Sequence, residues 1–235
     1  MMGPGGVLRI LSADAPKIGL RKLAERFSVE TGIAHAIELL QAPRITARVL
    51  AGGADADLII IPRPQFEDLV MAGHVAAGDI VVLGRVTVGV AVRNGAVEPD
   101  LGTVESFVRS VLAAERVIYN TASSGQYVAS VFERLGIADA VREKATVLPT
   151  GKATMETLAG DTSGRAICFG HATEIRLHDG LGTHYAGPLP GEIGRQTPYA
   201  AGPLLCAPRL DAARLLAAHL SSVESRAVFA ETGVL

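Results

Sequence analysis

The sequence has no tryptophan, few other aromatic residues and only two cysteines, Cys168 and Cys206. Neither cysteine has the Cys-x-x-Cys or Cys/His spacing of a zinc site or a redox motif, and small or apolar neighbours favour two buried side chains. The six histidines are scattered along the chain without the spacing of metal ligands. We therefore expect neither a metal nor a cofactor.

The sequence also lacks an excess of charge of one sign, because it has 22 basic and 24 acidic side chains and a net charge of -2. Such a balance leaves no net positive charge that would attract the phosphate backbone of a nucleic acid or an anionic membrane surface. No apolar run approaches the roughly 18 residues of a membrane helix. We expect no nucleic-acid partner and no membrane insertion.

The first residues, Met1–Gly6, lack the charged region and the long apolar region of an export signal. Two localisations stay open on this ground. The protein is expected to be periplasmic if an export signal was removed from this sequence, and cytoplasmic otherwise.

Hydrophobic residues make up 49% of the chain and charged ones 20%, which is ample material for buried cores. Short runs typical of β-strands alternate with helical patterns from end to end. The predicted strands are 7–11, 34–40, 58–61, 86–92, 117–119, 146–148 and 166–169. Alternation of this kind predicts an α/β fold with mainly parallel sheets and helices on both faces.

Two shifts in composition suggest that the chain crosses between lobes, at Leu83–Arg85 and in the Pro/Gly-rich run Gly187–Pro203. We predict a discontinuous first lobe, 1–84 with 198–235, and a second lobe, 85–197, joined by a two-strand hinge. Two terminal helices, near 211–220 and 223–229, are expected to pack onto the first lobe.

Small and hydroxyl residues follow several of the predicted strands. In a parallel sheet these turns lead into helix N-termini, whose free N–H groups and partial positive charge favour an anion. Each turn alone is also an ordinary helix cap. Their recurrence in both predicted lobes favours a hinged clamp around one small anion. The turns are 12–16, 41–44, 120–125, 149–152 and 170–174.

The order of several segments resembles the molybdate-type extracellular solute-binding proteins, which belong to the type 2 periplasmic binding proteins. The resemblance covers almost the whole chain and is carried by Leu8–Pro16, Phe27–Gly32, Ala54–Ile60, Ala122–Tyr127 with Leu135–Gly136, Gly187–Pro190, and Val228–Phe229 before Thr232–Gly233. It implies a two-lobed fold that closes on a small anion in the cleft between its lobes. It also implies a possible partner in the membrane subunit of an ABC transporter.

In that family, the ligand contacts come from turns that match Ser12, Ala42, Ser123 and the region around Gly151. Around these positions the expected ligand-binding residues are Ser12, Ala13, Asp14, Ala42, Arg44, Ala122, Ser123, Ser124, Gly125, Gly151, Lys152 and Thr173. The charged residues depart from the neutral site that a molybdate protein of this type is expected to have. Arg44 and Lys152 suit a carboxylate or polycarboxylate, although either could be a solvated surface residue.

The resemblance includes a branch that is similar to aconitate isomerase, so an enzyme is the alternative to a binding protein. Moving a double bond in an unsaturated di- or tricarboxylate requires groups that remove and return a proton. The available candidates are Tyr119, Lys152, His171 and Glu174. Each has a structural alternative, such as a strand-end aromatic, a hydrogen-bonded loop histidine or a first-turn helix carboxylate. A cytoplasmic anion sensor that acts through a partner chain is a third hypothesis.

Overall fold

A computed structural model of the protein describes residues 6–235. The expectation for Met1–Gly6 therefore lies outside the described residues, except at Gly6. The first elements are β1 (Leu8–Ser12), α1 (Lys17–Thr31), β2 (His35–Leu39), α2 (Ala42–Leu50), β3 (Leu58–Pro62), α3 (Phe66–Met71), β4 (Val81–Arg93), α4 (Val104–Ala113), β5 (Arg116–Asn120) and α5 (Ser123–Arg134). They are followed by α6 (Ala138–Arg142), β6 (Ala145–Leu148), α7 (Gly151–Ala159), β7 (Ala166–His171), α8 (Ala172–Leu177), β8 (Thr183–Pro188), β9 (Gln196–Pro203), α9 (Leu210–Leu220) and α10 (Val223–Glu231).

The described chain divides into two compact units. The first unit holds the described residues up to Val86 together with Thr197–Leu235, and the second unit is Thr87–Gln196. The chain passes from one unit to the other within β4 and returns within β9.

The sheet of the first unit has the strand order β2-β1-β3-β9. Strand β1 pairs in parallel with β2 and β3, while β9 pairs antiparallel with β3. Both faces of β3 are buried: Leu58 and Ile60 pack on the side of α1, α9 and α10, and Ile59 and Ile61 pack on the side of α2 and α3. A strand that is buried on both faces is apolar at every position, as this one is.

The second unit has the strand order β8-β4-β7-β5-β6. Strand β5 pairs in parallel with β6 and β7, while β4 is antiparallel to both β7 and β8. One face packs against α4 and α5 through side chains such as Val90 and Phe169, and the other packs against α7 and α8 through Ala91 and Cys168. The carboxyl ends of β5, β6 and β7 therefore lie at the same edge of this sheet.

The predicted fold class is confirmed: the protein is α/β, with mostly parallel sheets flanked by helices. All seven predicted strands correspond to observed ones, and the two terminal helices pack on α1 as expected. The glycine stop after α1 is also present, since Gly32 has a φ of 73° and its N–H donates to the carbonyl of Ser28.

Three expectations were wrong. Strand β8 was missed, and the Pro/Gly-rich run Gly187–Pro203 contains β9 rather than only a connection. Proline weakens the sequence signal for a strand, but Pro203 lies at the strand end opposite Leu58 and Pro198 lies before the paired segment. Cys206 is exposed rather than buried, whereas Cys168 is buried as predicted.

None of the helices within residues 6–235 is both long and apolar enough to cross a membrane.

Candidate functional site

Three helices of the second unit begin directly after parallel strands that end at the same sheet edge. Helix α5 follows β5, α7 follows β6 and α8 follows β7. The first N–H groups of a helix have no acceptor within the helix and carry partial positive charge. This edge, which we call the carboxyl edge of the second unit, brings together the predicted residues from 122 to 125, 151 to 152 and 171 to 174.

The start of α5 is held by the side chain of Asn120. Its Oδ1 accepts hydrogen bonds from the backbone N–H of Ala122 (2.9 Å) and of Gly125 (3.3 Å). A Cβ atom at position 125 would overlap the carbonyl oxygen of Asn120, so only glycine fits there. The backbone N–H groups of Ser123 and Ser124 have no acceptor among residues 6–235. Two of the helix donors are therefore available to an anion.

The two serines at this helix start differ in their side chains. Ser123 is exposed, whereas Ser124 is buried and its Oγ accepts a hydrogen bond from Nδ2 of Asn120 at 3.3 Å. Ser124 can therefore offer a ligand only its backbone N–H, while Ser123 can offer both its backbone N–H and its hydroxyl.

The start of α7 is capped by Thr150, whose Oγ1 accepts from the N–H of Ala153 at 3.1 Å. The N–H groups of Gly151 and Lys152 have no acceptor in the described chain. The ammonium group of Lys152 pairs with Glu156 on the same helix, at 2.6 Å. Its side chain is thus engaged along α7, and what this turn presents is backbone N–H.

His171 ends β7 and lies beside α5. Its Nε2 is 3.5 Å from the Oγ of Ser123, and its buried Nδ1 has no hydrogen-bond partner among residues 6–235. Burial lowers the pKa of His171 below its ordinary value, and the positive charge of Arg195 lowers this pKa further. The imidazole is therefore neutral at pH 7, with a polar atom that the described residues leave unsatisfied.

The remaining predicted residues of this unit are placed less favourably. Thr173 is buried. Glu174 packs against Gly151 and lies 3.7 Å from Nδ1 of His178. The ring of Tyr119 packs edge-on against Phe132, with the ring centroids 6.1 Å apart. Of the four candidate catalytic residues, His171 and Glu174 have side chains next to open helix donors, at Ser123 and Gly151 respectively.

In the first unit, the predicted residues lie at the carboxyl ends of β1 and β2. Ser12 is fully buried and its hydroxyl donates to the carbonyl of Ala13 at 2.9 Å. Asp14 is exposed, 3.6 Å from the ammonium of Lys17. Ala42 begins α2, and the exposed guanidinium of Arg44 has no hydrogen-bond or ion-pair partner in the described chain.

Sequence reasoning did not select two residues at the carboxyl edge of the second unit as site residues, although the turn 120–125 that it singled out contains one of them, Asn120. Asn120 had a detectable signal, because asparagine at a strand end often bonds the backbone two residues on. Arg195 had none, because it lies within the Pro/Gly-rich run and is brought to this edge by a backbone hydrogen bond from Val88 of β4. Within residues 6–235, no group of three potential metal ligands occurs.

Comparison with solved structures places the fold in a known class. The substrate-binding domain assigned to a molybdenum ABC transporter of Clostridium difficile aligns with a TM-score of 0.78 and 14% sequence identity, over 96% of each chain. The periplasmic molybdate-binding protein of Azotobacter vinelandii aligns with a TM-score of 0.66 and 16% identity, over 97% of this chain and 98% of that one. These similarities show that the protein has the type 2 periplasmic-binding-protein fold.

The chain belongs to the family of bacterial extracellular solute-binding proteins, whose family model matches residues 8–235. It is also 25% identical over 236 aligned positions to an aconitate isomerase of a Pseudomonas species, covering 98% of this chain and 88% of that protein.

Proposed function

We propose that this protein binds a small anion, either a tetrahedral oxyanion or a small polycarboxylate, and that the helix starts at the carboxyl edge of the second unit supply the main donors. The observation that carries the proposal is the set of N–H groups without acceptors at the starts of α5 and α7. Because β5 and β6 are neighbours in parallel pairing, both helices begin at the same edge of the sheet, α5 on one face and α7 on the other. The N-terminus of a helix is a favourable environment for negative charge.

Arg44 adds support for a carboxylate ligand, since its guanidinium is exposed and has no partner in the described chain. Guanidinium groups bind carboxylates through two parallel hydrogen bonds. The ligand set proposed for the first unit is Ser12, Ala13, Asp14, Ala42 and Arg44. The idea that the ligand is enclosed between two lobes stays a prediction from the sequence.

Membership of an extracellular solute-binding family supports a further proposal, that the protein acts outside the cytoplasm and delivers its ligand to the membrane subunit of an ABC transporter. The solved relative from Clostridium difficile is described as part of such a transporter.

A ligand panel tests the proposal directly. We expect one or more of molybdate, tungstate, sulfate, phosphate, citrate, cis-aconitate and trans-aconitate to raise the melting temperature. Ligand at about a hundred times its dissociation constant adds roughly 2.7 kcal/mol, which corresponds to roughly 5–10 °C for a chain of this size. If none of these anions shifts the transition, the proposal fails.

The substitution Ser123→Pro tests whether the α5 donors bind the anion. Ser123 is the first residue of α5, where proline is well tolerated, and Ala122 before it has the extended backbone that proline requires. The change removes one N–H and the Ser123 hydroxyl without breaking the helix, and we expect affinity to fall at least about tenfold. Val223→Pro, at the first position of α10, is the matched control and should leave affinity unchanged.

Isomerisation of an unsaturated polycarboxylate is the second candidate function. It is supported by the similarity to an aconitate isomerase and by the neutral imidazole of His171 beside Ser123. A neutral histidine can accept a proton next to a carboxylate and return it at another carbon. We expect this function to appear as interconversion of cis- and trans-aconitate, monitored by NMR. We expect His171→Phe to abolish the interconversion. Binding without interconversion would exclude it.

A further inference from the structure

A cavity of about 310 Å³ lies at the amino end of the second unit's sheet, away from the carboxyl edge. Its walls come from the loop between β4 and α4, from the last turns of α4 and from the segment that enters β7. Pockets that hold small molecules measure roughly 300–1,000 Å³ and have a mainly apolar lining with a few polar groups. The cavity has such a lining, because its apolar side chains are Val97, Pro99, Ala113, Ala114 and Ile167.

Hydrogen bonds hold the loop between β4 and α4 against the rest of the second unit. The backbone N–H of Val97 donates to the carbonyl of Gly164, just before β7, at 3.1 Å. The backbone N–H of Asp100 donates to the Oγ of Ser110 on α4 at 2.9 Å. The walls of the cavity are therefore positioned by the fold itself, and a ligand does not have to order them.

Two guanidinium groups also line the cavity, that of Arg109 on α4 and that of Arg165 just before β7. Both side chains are exposed, and neither guanidinium has a hydrogen-bond or ion-pair partner within residues 6–235. Guanidinium groups bind carboxylates through two parallel hydrogen bonds. The cavity therefore combines apolar walls with positive charge that no carboxylate of the described chain neutralises.

The negative groups around the cavity are engaged or lie farther away. The carboxylate of Glu98, which also lines the cavity, is 2.7 Å from Nε2 of His184. Two carbonyls at the end of α4 accept hydrogen bonds from the ammonium of Lys144, which offsets the partial negative charge of this helix end. Asp100 and Glu105 lie near Arg109 but beyond ion-pair distance.

We infer that this cavity is a second binding site, for a small monocarboxylate with an apolar body, such as an aromatic acid. The guanidinium groups of Arg109 and Arg165 attract the carboxylate, and the apolar walls contact the body. An inorganic oxyanion has no apolar surface to cover these walls. The inference goes beyond the proposed function and does not depend on it, because the two sites share no residue.

Benzoate is the probe, and the backbone amide signals of the isotope-labelled protein report where it binds. We expect saturable shifts for residues around the cavity as benzoate is added. Acetate has the carboxylate without the apolar body, and benzamide has the body without the charge. We expect each of them to bind at least about tenfold more weakly, since each loses one of the two contributions.

Two variants of the cavity test its residues. The double substitution Arg109→Gln with Arg165→Gln should weaken benzoate binding at least about tenfold, the loss typical of charged hydrogen bonds. Ala113→Leu, at an exposed helix position, should fill the cavity and abolish binding without changing the charge. The matched control is Arg134→Gln with Arg142→Gln, which removes two exposed guanidinium groups outside the cavity and should leave benzoate affinity unchanged.

The outcomes separate this inference from the proposed function. Undiminished benzoate affinity in the cavity variants, or equal affinity for acetate or benzamide, would refute the second site. Shifts confined to the starts of α5 and α7 would also refute it, because they would place benzoate at the carboxyl edge. Ser123→Pro should leave the cavity shifts unchanged, and a failure of the anion panel would not affect this inference.

Discussion

The two ends of the second unit's sheet differ in whether their polar groups have hydrogen-bond partners. At the amino end, the ammonium of Lys144 donates to two carbonyls near the end of α4, at 2.6 and 2.7 Å. The buried carboxylate of Asp161 accepts from the N–H and the hydroxyl of Ser163 and pairs with Arg116 at 3.1 Å. Each of these groups is satisfied by a neighbour.

At the carboxyl end, His171 has a buried nitrogen without a partner and Ser123 and Ser124 have N–H groups without acceptors, within residues 6–235. Buried polar side-chain atoms in native proteins are nearly always paired, so the unpaired Nδ1 of His171 requires an explanation, whereas unpaired N–H groups are usual at a helix start. The contrast supports the proposal that the carboxyl end binds the ligand, while the amino end contributes to stability. Three substitutions test this comparison.

The largest effect is expected for Gly125→Ala, which should disrupt the carboxyl end. The new Cβ atom would overlap the carbonyl oxygen of Asn120, so the start of α5 has to move. We expect a loss of about 2–3 kcal/mol in the free energy of unfolding, measured by urea denaturation, together with weaker anion binding. Gly180→Ala, where a Cβ meets open space, is the control and should change stability by less than about 0.5 kcal/mol.

A smaller loss is expected for Asp161→Ala, which disrupts the amino end. Removing this carboxylate deletes charged hydrogen bonds at a buried site and should cost about 2 kcal/mol of unfolding free energy. Asp139→Ala removes an exposed carboxylate paired with exposed Arg142 and should cost almost nothing. Affinity for the anion should be unchanged in both variants. A large loss of affinity in Asp161→Ala would show that the two ends are not separate in function.

The smallest effect on stability is expected for His171→Phe at neutral pH, because the ring keeps its packing and loses only the unpaired Nδ1 and the long contact between Nε2 and the Oγ of Ser123, at 3.5 Å. The pKa of His171 is lowered in the folded protein, so the unfolded chain binds a proton more readily as the pH falls below about 6.5. The unmodified protein should therefore lose stability between about pH 7.5 and pH 5.5, and His171→Phe should lose less.

Urea denaturation of both proteins at the two pH values measures this difference. Equal losses in the two proteins would mean that His171 is not buried as an unpaired neutral ring. A large loss of stability for His171→Phe at pH 7.5 would mean that Nδ1 is paired after all.

Much of the fold was predictable because strands and helices depend on local patterns. Continuous apolar runs such as Leu58–Ile61 predicted buried strands, and glycine at Gly32 predicted the end of α1. Strand β9 was not predictable, because Pro198 and Pro203 weaken the local signal and only pairing with β3 makes this segment a strand. Strand β8 was missed for a related reason, since its partner β4 is about 90 residues away in sequence.

The candidate site was only partly predictable. Small residues after β5 and β6 pointed to helix starts that could bind an anion, and Ser123 and Gly151 lie there. Which side chains are free was not predictable, because Lys152 is engaged by Glu156 and Ser124 by Asn120 only once the helices and the turn have formed.

The sequence by itself determined the α/β class, the positions of most strands and the helix starts that follow them. The spacing of apolar residues, glycines and small hydroxyl residues determines these features, because each affects only a few neighbouring backbone positions. Only the tertiary structure decided that Ser123, His171 and Arg195 share one sheet edge. These residues come from three segments. Strand register and burial, rather than local propensity, bring them together and leave Nδ1 of His171 without a partner in the described chain.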